Sequence, residues 1–193
     1  MEVNSAIDIA VYDGVYAPAE DSYLLLDAVE ADGRMLDMGA GTGIVGLHAA
    51  MAGADVVAVD VDARAVDNAR CNAACNHLDM EVVQSDLFAN VQGCYDVIMF
   101  NPPYLPAEDS DARWDGGPGG VAVARRFLRE ADGYLGEDGR VYLLLSSLGD
   151  VSGLLREFQG RYVFREIRRL SLFFERLLVY EVRRKNSGRV PTA

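Results

Sequence analysis

Arg34-Met35-Leu36-Asp37-Met38-Gly39-Ala40-Gly41-Thr42-Gly43 reads as a short apolar strand that runs directly into a glycine-rich turn. Glycines at 39, 41 and 43 let the backbone turn sharply and bring its N–H groups close to a ligand. The apolar run Ile44 to Ala52, stopped by Gly53, then predicts a helix whose N-terminus faces the same place. Outward from this unit, Ala54 to Val59 predicts a second strand ending at Asp60, and Asp62 caps a long helix over Ala63 to Asn76. Met80 to Gln84 is a third short strand, followed by Ser85-Asp86-Leu87-Phe88, and Asp96 to Phe100 is a fourth. Strand, glycine turn, helix, strand, helix, strand is the signature of an α/β fold with a parallel sheet and helices on both faces.

The flanks extend this pattern. Asp8 to Tyr16 alternates loosely, as an extended arm would, and Pro18-Ala19-Glu20-Asp21-Ser22 has the proline and acidic residues of a helix start. Tyr23, Leu24, Leu25, Leu26, Ala28 and Val29 form its apolar side, with Asp32-Gly33 as its end. Pro106 to Gly120, including Trp114-Asp115-Gly116-Gly117-Pro118-Gly119-Gly120, is too glycine-rich for a regular element and suits a substrate-side lid. Val121 to Tyr134 predicts an amphipathic helix, Arg140 to Leu145 a fifth strand and Asp150 to Gln159 a further helix. Tyr162 to Ser171 and Phe173 to Arg183 predict two strands joined tightly around Leu172, hence a hairpin rather than another crossover. The expected organisation is a single domain over 1–185, with an arm over 1–17 and a polar, disordered tail over 186–193.

Composition narrows the function classes. Among 193 residues half are hydrophobic, and no apolar run is long enough to span a membrane. The start, Met1 to Ser5, lacks the basic and apolar parts of a signal peptide, so the expected location is cytoplasmic. Lys185 is the single lysine among 18 basic residues, and the formal charge is −12. A surface this acidic suits a cytoplasm of high salt and argues against tight nucleic-acid binding. Cys71, Cys75 and Cys94 form no paired zinc-ligand pattern and read as reduced thiols; His48 reads as a packed histidine, so no metal site is expected.

The decisive chemistry lies after the fourth strand, at Asn101-Pro102-Pro103-Tyr104. Two prolines remove two backbone donors and stiffen the exit from the strand. They leave an amide and a phenol on show. The Asn101 side-chain oxygen and the Pro102 carbonyl suit the two N–H bonds of a planar –NH2 group, with Tyr104 stacked on its face. The glycine turn alone fits NAD as well as S-adenosylmethionine. Asp37 favours the latter, because its carboxylate suits a cationic methionine end and would repel a pyrophosphate. Asp60 is placed for a ribose and Asp86 for an adenine amino group.

With the terminal hairpin, these motifs resemble class I S-adenosylmethionine-dependent methyltransferases, which implies a seven-stranded, mostly parallel sheet whose last strand is antiparallel. The combination of Tyr16-Ala17-Pro18-Ala19-Glu20-Asp21-Ser22, Asp37-Met38-Gly39-Ala40-Gly41-Thr42-Gly43 and Asn101-Pro102-Pro103-Tyr104 is similar to HemK-related glutamine methyltransferases. It looks most like their short archaeal and eukaryotic branch, without the helical N-terminal domain of bacterial members. One departure is Ser22, where threonine is common. The resemblance implies S-adenosylmethionine contacts at Ser22, Asp37, Gly39, Gly41, Asp60, Asp86, Leu87 (through its backbone) and Asn101. It implies catalytic roles for Asn101, Pro102 and Tyr104, and substrate binding at Asn101, Pro102, Pro103 and Tyr104. It further implies methylation of the glutamine in the Gly-Gly-Gln loop of a class I release factor, and a small zinc-binding activator paired along Met80 to Gln84. Glu20 and Asp21 read first as acids that complement the helix dipole. Alternatives are methylation of adenine N6 or of a protein lysine and, outside enzymes, a Rossmann-like scaffold.

Overall fold

The computed structural model describes residues 1–104 and 120–185. The expected lid around Trp114 and the expected tail from 186 lie outside the described residues. In chain order the elements are α1 (Glu20–Ala28), β1 (Arg34–Met38), α2 (Ile44–Met51), β2 (Asp55–Asp60), α3 (Ala63–Cys75), β3 (Glu81–Gln84) and β4 (Tyr95–Phe100). Then follow α4 (Ala122–Glu130), a 3-10 turn (Ala131–Tyr134), β5 (Leu135–Ser146), α5 (Val151–Phe158), β6 (Tyr162–Ser171) and β7 (Arg176–Arg184). The sheet has seven strands in the order β3-β2-β1-β4-β5-β7-β6. Only β7 runs against the rest, pairing antiparallel with both β5 and β6.

Alternation along the strands divides the core into two layers. Leu36, Val57, Ile98 and Leu143 face Phe127, Leu128, Leu154 and Phe158 of α4 and α5. Their neighbours Met35, Val56, Val97 and Tyr142 face Leu25, Leu47, Val66 and Ala69 of α1, α2 and α3. Both faces of the central strands are therefore apolar, as a covered parallel sheet requires. Each Val, Leu, Ile, Met or Phe among them contributes about 1.5–3 kcal/mol on burial.

Apart from one-residue shifts and the 3-10 turn that replaces the end of the expected Val121 to Tyr134 helix, three boundaries differ from the sequence reading. Helix α1 stops at Ala28 rather than at Asp32-Gly33, because Val29 turns to extended backbone and is wholly buried. Strand β5 begins at Leu135, not Arg140, and its pairing with β4 jumps from Tyr95–Leu135 to Val97–Arg140, with the intervening residues bulged. Phe173 belongs to the turn between β6 and β7 rather than to a strand.

The arm is held by a device that periodicity alone does not reveal. Asn68, Asn72 and Asn76 stand one turn apart on and just beyond α3. Their side-chain oxygens accept from the backbone N–H groups of Tyr12 (2.8 Å), Ala10 (3.0 Å) and Asp8 (2.8 Å). Their amide nitrogens donate back, Asn68 and Asn72 to the Ala10 carbonyl and Asn76 to that of Asp8. Alternate residues of an extended chain rise about 6.6 Å per pair and helix turns rise 5.4 Å, so the two repeats run nearly in step. This ladder replaces a partner strand and carries the arm to the sheet's carboxyl edge.

Candidate active site

In open α/β sheets, ligands bind beyond the carboxyl ends of the strands where strand order reverses. Here β1 lies between β2 and β4, so the turns after β1, β2, β3 and β4 share that edge. They border a cleft of about 540 Å³, within the ~300–1,000 Å³ usual for small-molecule sites. The expected cofactor residues Ser22, Asp37, Gly39, Gly41, Asp60, Asp86 and Leu87 all line it. So do Asn101, Pro102, Pro103 and Tyr104.

The glycine turn forms the floor. Gly39, Gly41 and Gly43 have φ of +65°, +56° and +82°, where a side chain would be strained. A Cβ on Gly39 would also stand 3.3 Å from the Phe100 ring. The Gly41 N–H donates to Asp60 Oδ2 at 2.9 Å, and the Gly46 N–H donates to Asp37 Oδ2 at 2.8 Å. Strand β1 thus sets Asp37 beneath the first turn of α2. Burial pushes the Asp37 carboxyl up to about 7; the Gly46 N–H opposes this and the Asp60 charge adds to it. Burial also raises Asp60, against hydrogen bonds from Asp62 and Gly41. Two neighbouring carboxylates, Asp37 buried and Asp60 half-buried, favour a cationic group and disfavour a pyrophosphate. The donor set therefore fits a sulfonium amino acid better than a dinucleotide.

On the opposite side, Asp21 is a hub rather than a simple helix-start acid. It is 3% exposed and accepts from the Ser22 N–H, the Tyr16 hydroxyl at 3.0 Å and the Tyr104 hydroxyl at 3.3 Å. The Asn101 Nδ2 also donates to Asp21 Oδ2, at 3.0 Å. A carboxylate only accepts, so Asp21 forces the amide nitrogen of Asn101 inward and its oxygen the other way. That oxygen is buried and, among the described residues, has no hydrogen-bond partner. An orphaned buried acceptor costs about 1–3 kcal/mol, and a donor arriving in the cleft removes that cost. Burial and the Asp21 charge push the Tyr16 and Tyr104 phenols above their ordinary range, so both stay protonated donors.

Two expected residues have partners of their own. Asp86, expected to meet an adenine, pairs with Arg126 of α4 at 2.9 Å. Leu87 stands at φ +48° in the turn after β3, and its carbonyl accepts from the Ser85 hydroxyl at 2.7 Å. Sequence reading did not single out Arg126 or Glu175 as site residues, although both line the cleft. Nothing in their local sequence marks them, since they arrive from α4 and from the turn before β7. Away from the cleft, His48 is buried, its Nδ1 2.8 Å from the Ile44 carbonyl and its Nε2 accepting from the Asn4 N–H. Cys71, Cys75 and Cys94 are free thiols, and the described residues hold no cluster of three metal-ligating side chains.

Residues 8–169 match the family described as the methyltransferase small domain. The chain belongs to that family. Among relatives of this methyltransferase, a Methanocaldococcus jannaschii protein assigned as a protein N5-glutamine methyltransferase is 38% identical over 184 residues. That match covers 90% of this chain and 93% of the relative. The release factor glutamine methyltransferase of Deinococcus radiodurans is 38% identical over 125 residues, covering 58% of this chain but only 45% of that longer protein. Among solved structures, a chain of the E. cuniculi Mtq2–Trm112 complex, responsible for methylation of the eRF1 translation termination factor, superposes with a TM-score of 0.73 at 26% identity. The superposition covers 89% of this chain and 99% of the other. With its motifs intact, the methyltransferase sits in the HemK-related group.

Proposed function

We propose that this methyltransferase uses S-adenosylmethionine to methylate the side-chain nitrogen of a glutamine in the Gly-Gly-Gln loop of a class I release factor. The observation that carries the reading is Asn101 in the cleft wall, its Nδ2 held by Asp21 and its Oδ1 left without a hydrogen-bond partner among the described residues. It is an acceptor waiting for an N–H.

When bound, S-adenosylmethionine supplies a sulfonium methyl carbon, whose bond to sulfur breaks as the bond to nitrogen forms. Asp37, Asp60 and the N–H groups of the glycine turn would hold it. An amide nitrogen is a poor nucleophile, because its lone pair is delocalised into the carbonyl. Asn101 Oδ1 takes one of its N–H bonds and the Pro102 carbonyl the other, turning the lone pair toward the methyl group. Tyr104, tethered through its hydroxyl, forms the wall against which the planar amide rests. The methylated nitrogen releases its extra proton to solvent after transfer, so no strong base is required.

The M. jannaschii and E. cuniculi relatives support the acceptor, and the latter also supports a small activator as partner. Strand β3 is the edge that suits it. The other edge, β6, carries Arg165, Arg168 and Arg169, charges that discourage strand addition, whereas β3 carries no arginine. The test is transfer of labelled methyl to purified release factor, with and without activator, by wild type and by Asn101→Ala. Activator-dependent label on the glutamine, lost in the variant, is expected. Label on nucleic acid or on lysine instead would overturn the choice of acceptor.

A further inference from the structure

The turn joining β6 to β7 is chemically out of place. Its closing pair is Leu172, whose N–H donates to the Glu175 carbonyl at 2.8 Å, so Phe173 and Phe174 occupy the two loop positions. Two-residue hairpin loops favour glycine, asparagine or aspartate, because they call for positive φ. Here neither phenylalanine has positive φ. Turn geometry gives no reason for two aromatic rings, and packing gives none either. Phe173 is 91% exposed and Phe174 86%, and they meet each other edge to face at 4.6 Å.

The turn is also fixed in place, at the catalytic edge. Because β6 runs parallel to β4, its end at Ser171 emerges on the same side of the sheet as Asn101 at the end of β4. Glu175, the next residue after the pair, lines the cleft together with Tyr16 and Tyr104. Its carboxylate accepts from the Ser146 hydroxyl at 2.6 Å, and Arg176 and Ser147 exchange two further bonds that clamp the base of the turn to β5. The rings therefore project from a rigid base continuous with the cleft.

We infer that Phe173 and Phe174 form a docking lip for the polypeptide that carries the acceptor side chain, gripping apolar groups beside the methylated residue. This rests on the reading of the acceptor as a protein side chain. A macromolecular substrate must cross the mouth of the cleft to reach Asn101, and the pair stands at that mouth. The chain's charge of −12 and Glu175 beside the rings select a neutral or basic segment. They disfavour a second copy of this acidic chain or a phosphate backbone. Aromatic anchors in such positions supply much of an interface's affinity, because each buries about 150–250 Å² at small entropic cost.

The test compares full-length wild type with the Phe173→Ala/Phe174→Ala and Phe173→Leu/Phe174→Leu double variants, each with its activator. It measures S-adenosylmethionine affinity and the KM and kcat for intact release factor. The alanine pair is expected to raise KM for the protein about tenfold or more, with kcat and cofactor affinity held near wild type and the leucine pair restoring much of the loss. An unchanged KM in the alanine pair, with wild type active, would overturn the docking lip alone. Absence of transfer by wild type would instead overturn the acceptor reading on which the lip rests. Sedimentation and activator binding complete the set. Self-association or activator affinity lost in the alanine pair, in place of the KM effect, would reassign the rings to that partner and overturn the inference.

Discussion

Replacing Asp21 by asparagine changes no volume but reverses one hydrogen-bond instruction. In the wild type, flipping the Asn101 amide would aim its oxygen at Asp21 Oδ2, in place of the 3.0 Å donation from Nδ2. That flip forfeits a charge-assisted bond worth about 1.5–3 kcal/mol, so the orientation that shows Oδ1 to the cleft dominates by roughly one to two powers of ten. In Asp21→Asn, the Tyr16 hydroxyl and the Ser22 N–H hold the single remaining oxygen at the Oδ1 position. The new –NH2 group then faces Asn101, whose amide turns its oxygen inward and offers a donor to the substrate. The combined swing lowers kcat by about 100- to 1,000-fold, the range seen when one preorganised polar contact is removed from a transition state. Cofactor affinity falls less than kcat, since Asp37 and Asp60 keep their own hydrogen bonds to the glycine turn and α2. Single-turnover transfer of labelled methyl gives the rate, and calorimetry gives the affinity. An Asp21→Asn enzyme that turns over at near wild-type rate with cofactor bound would refute the claim that Asp21 aims Asn101.

Other residues yield further predictions. Asp37 titrates near 7 when folded and near 4 when unfolded, so the folded chain binds the extra proton between those values and its stability is lost as pH rises through them. Apo wild type therefore loses up to about 4 kcal/mol across that window, and thermal melts of Asp37→Asn should lack this component. Cofactor affinity should show the opposite sign, strengthening as pH rises through 7 and Asp37 ionises, as calorimetry at several pH values would read. At Gly46 an added Cβ would lie 2.9 Å from Met80 Sδ and 3.0 Å from Asp37 Oδ2. Gly46→Ala should cost about 1–3 kcal/mol in denaturant unfolding and weaken cofactor binding, because Asp37 must move. Asn68→Ala leaves the Tyr12 N–H and the Ala10 carbonyl without a partner it supplied. Hydrogen exchange at Tyr12 should then lose protection, while the strands of the sheet keep theirs.

Much of this was legible in the chain because the signals are local. The glycines after β1, the apolar strands and the proline pair after β4 each state a backbone requirement within a few residues, and the sheet follows from their order. The glutamine-type acceptor and the activator are proposals that chemistry and kinship support together, and the docking lip rests on exposure and position alone. The boundaries that shifted at Ala28 and Leu135 did so where burial and pairing outweighed local propensity, whereas Phe173 left its expected strand because the turn closes at Leu172 and Glu175.

The amino-acid order by itself determined the strand–helix succession, the glycine turn and the Asn101-Pro102-Pro103-Tyr104 exit, because each is written in neighbouring residues. Tertiary structure alone decided the role of Asp21, which reads as a helix-start acid until α1 packs against β5, β6 and β7 and 80 residues of separation from Asn101 close to a 3.0 Å bond. It likewise decided that three asparagines of α3 hold the arm and that Glu175 reaches the cleft. These contacts join segments remote in the chain, and a polar side chain takes its meaning from the partner that folding brings to it.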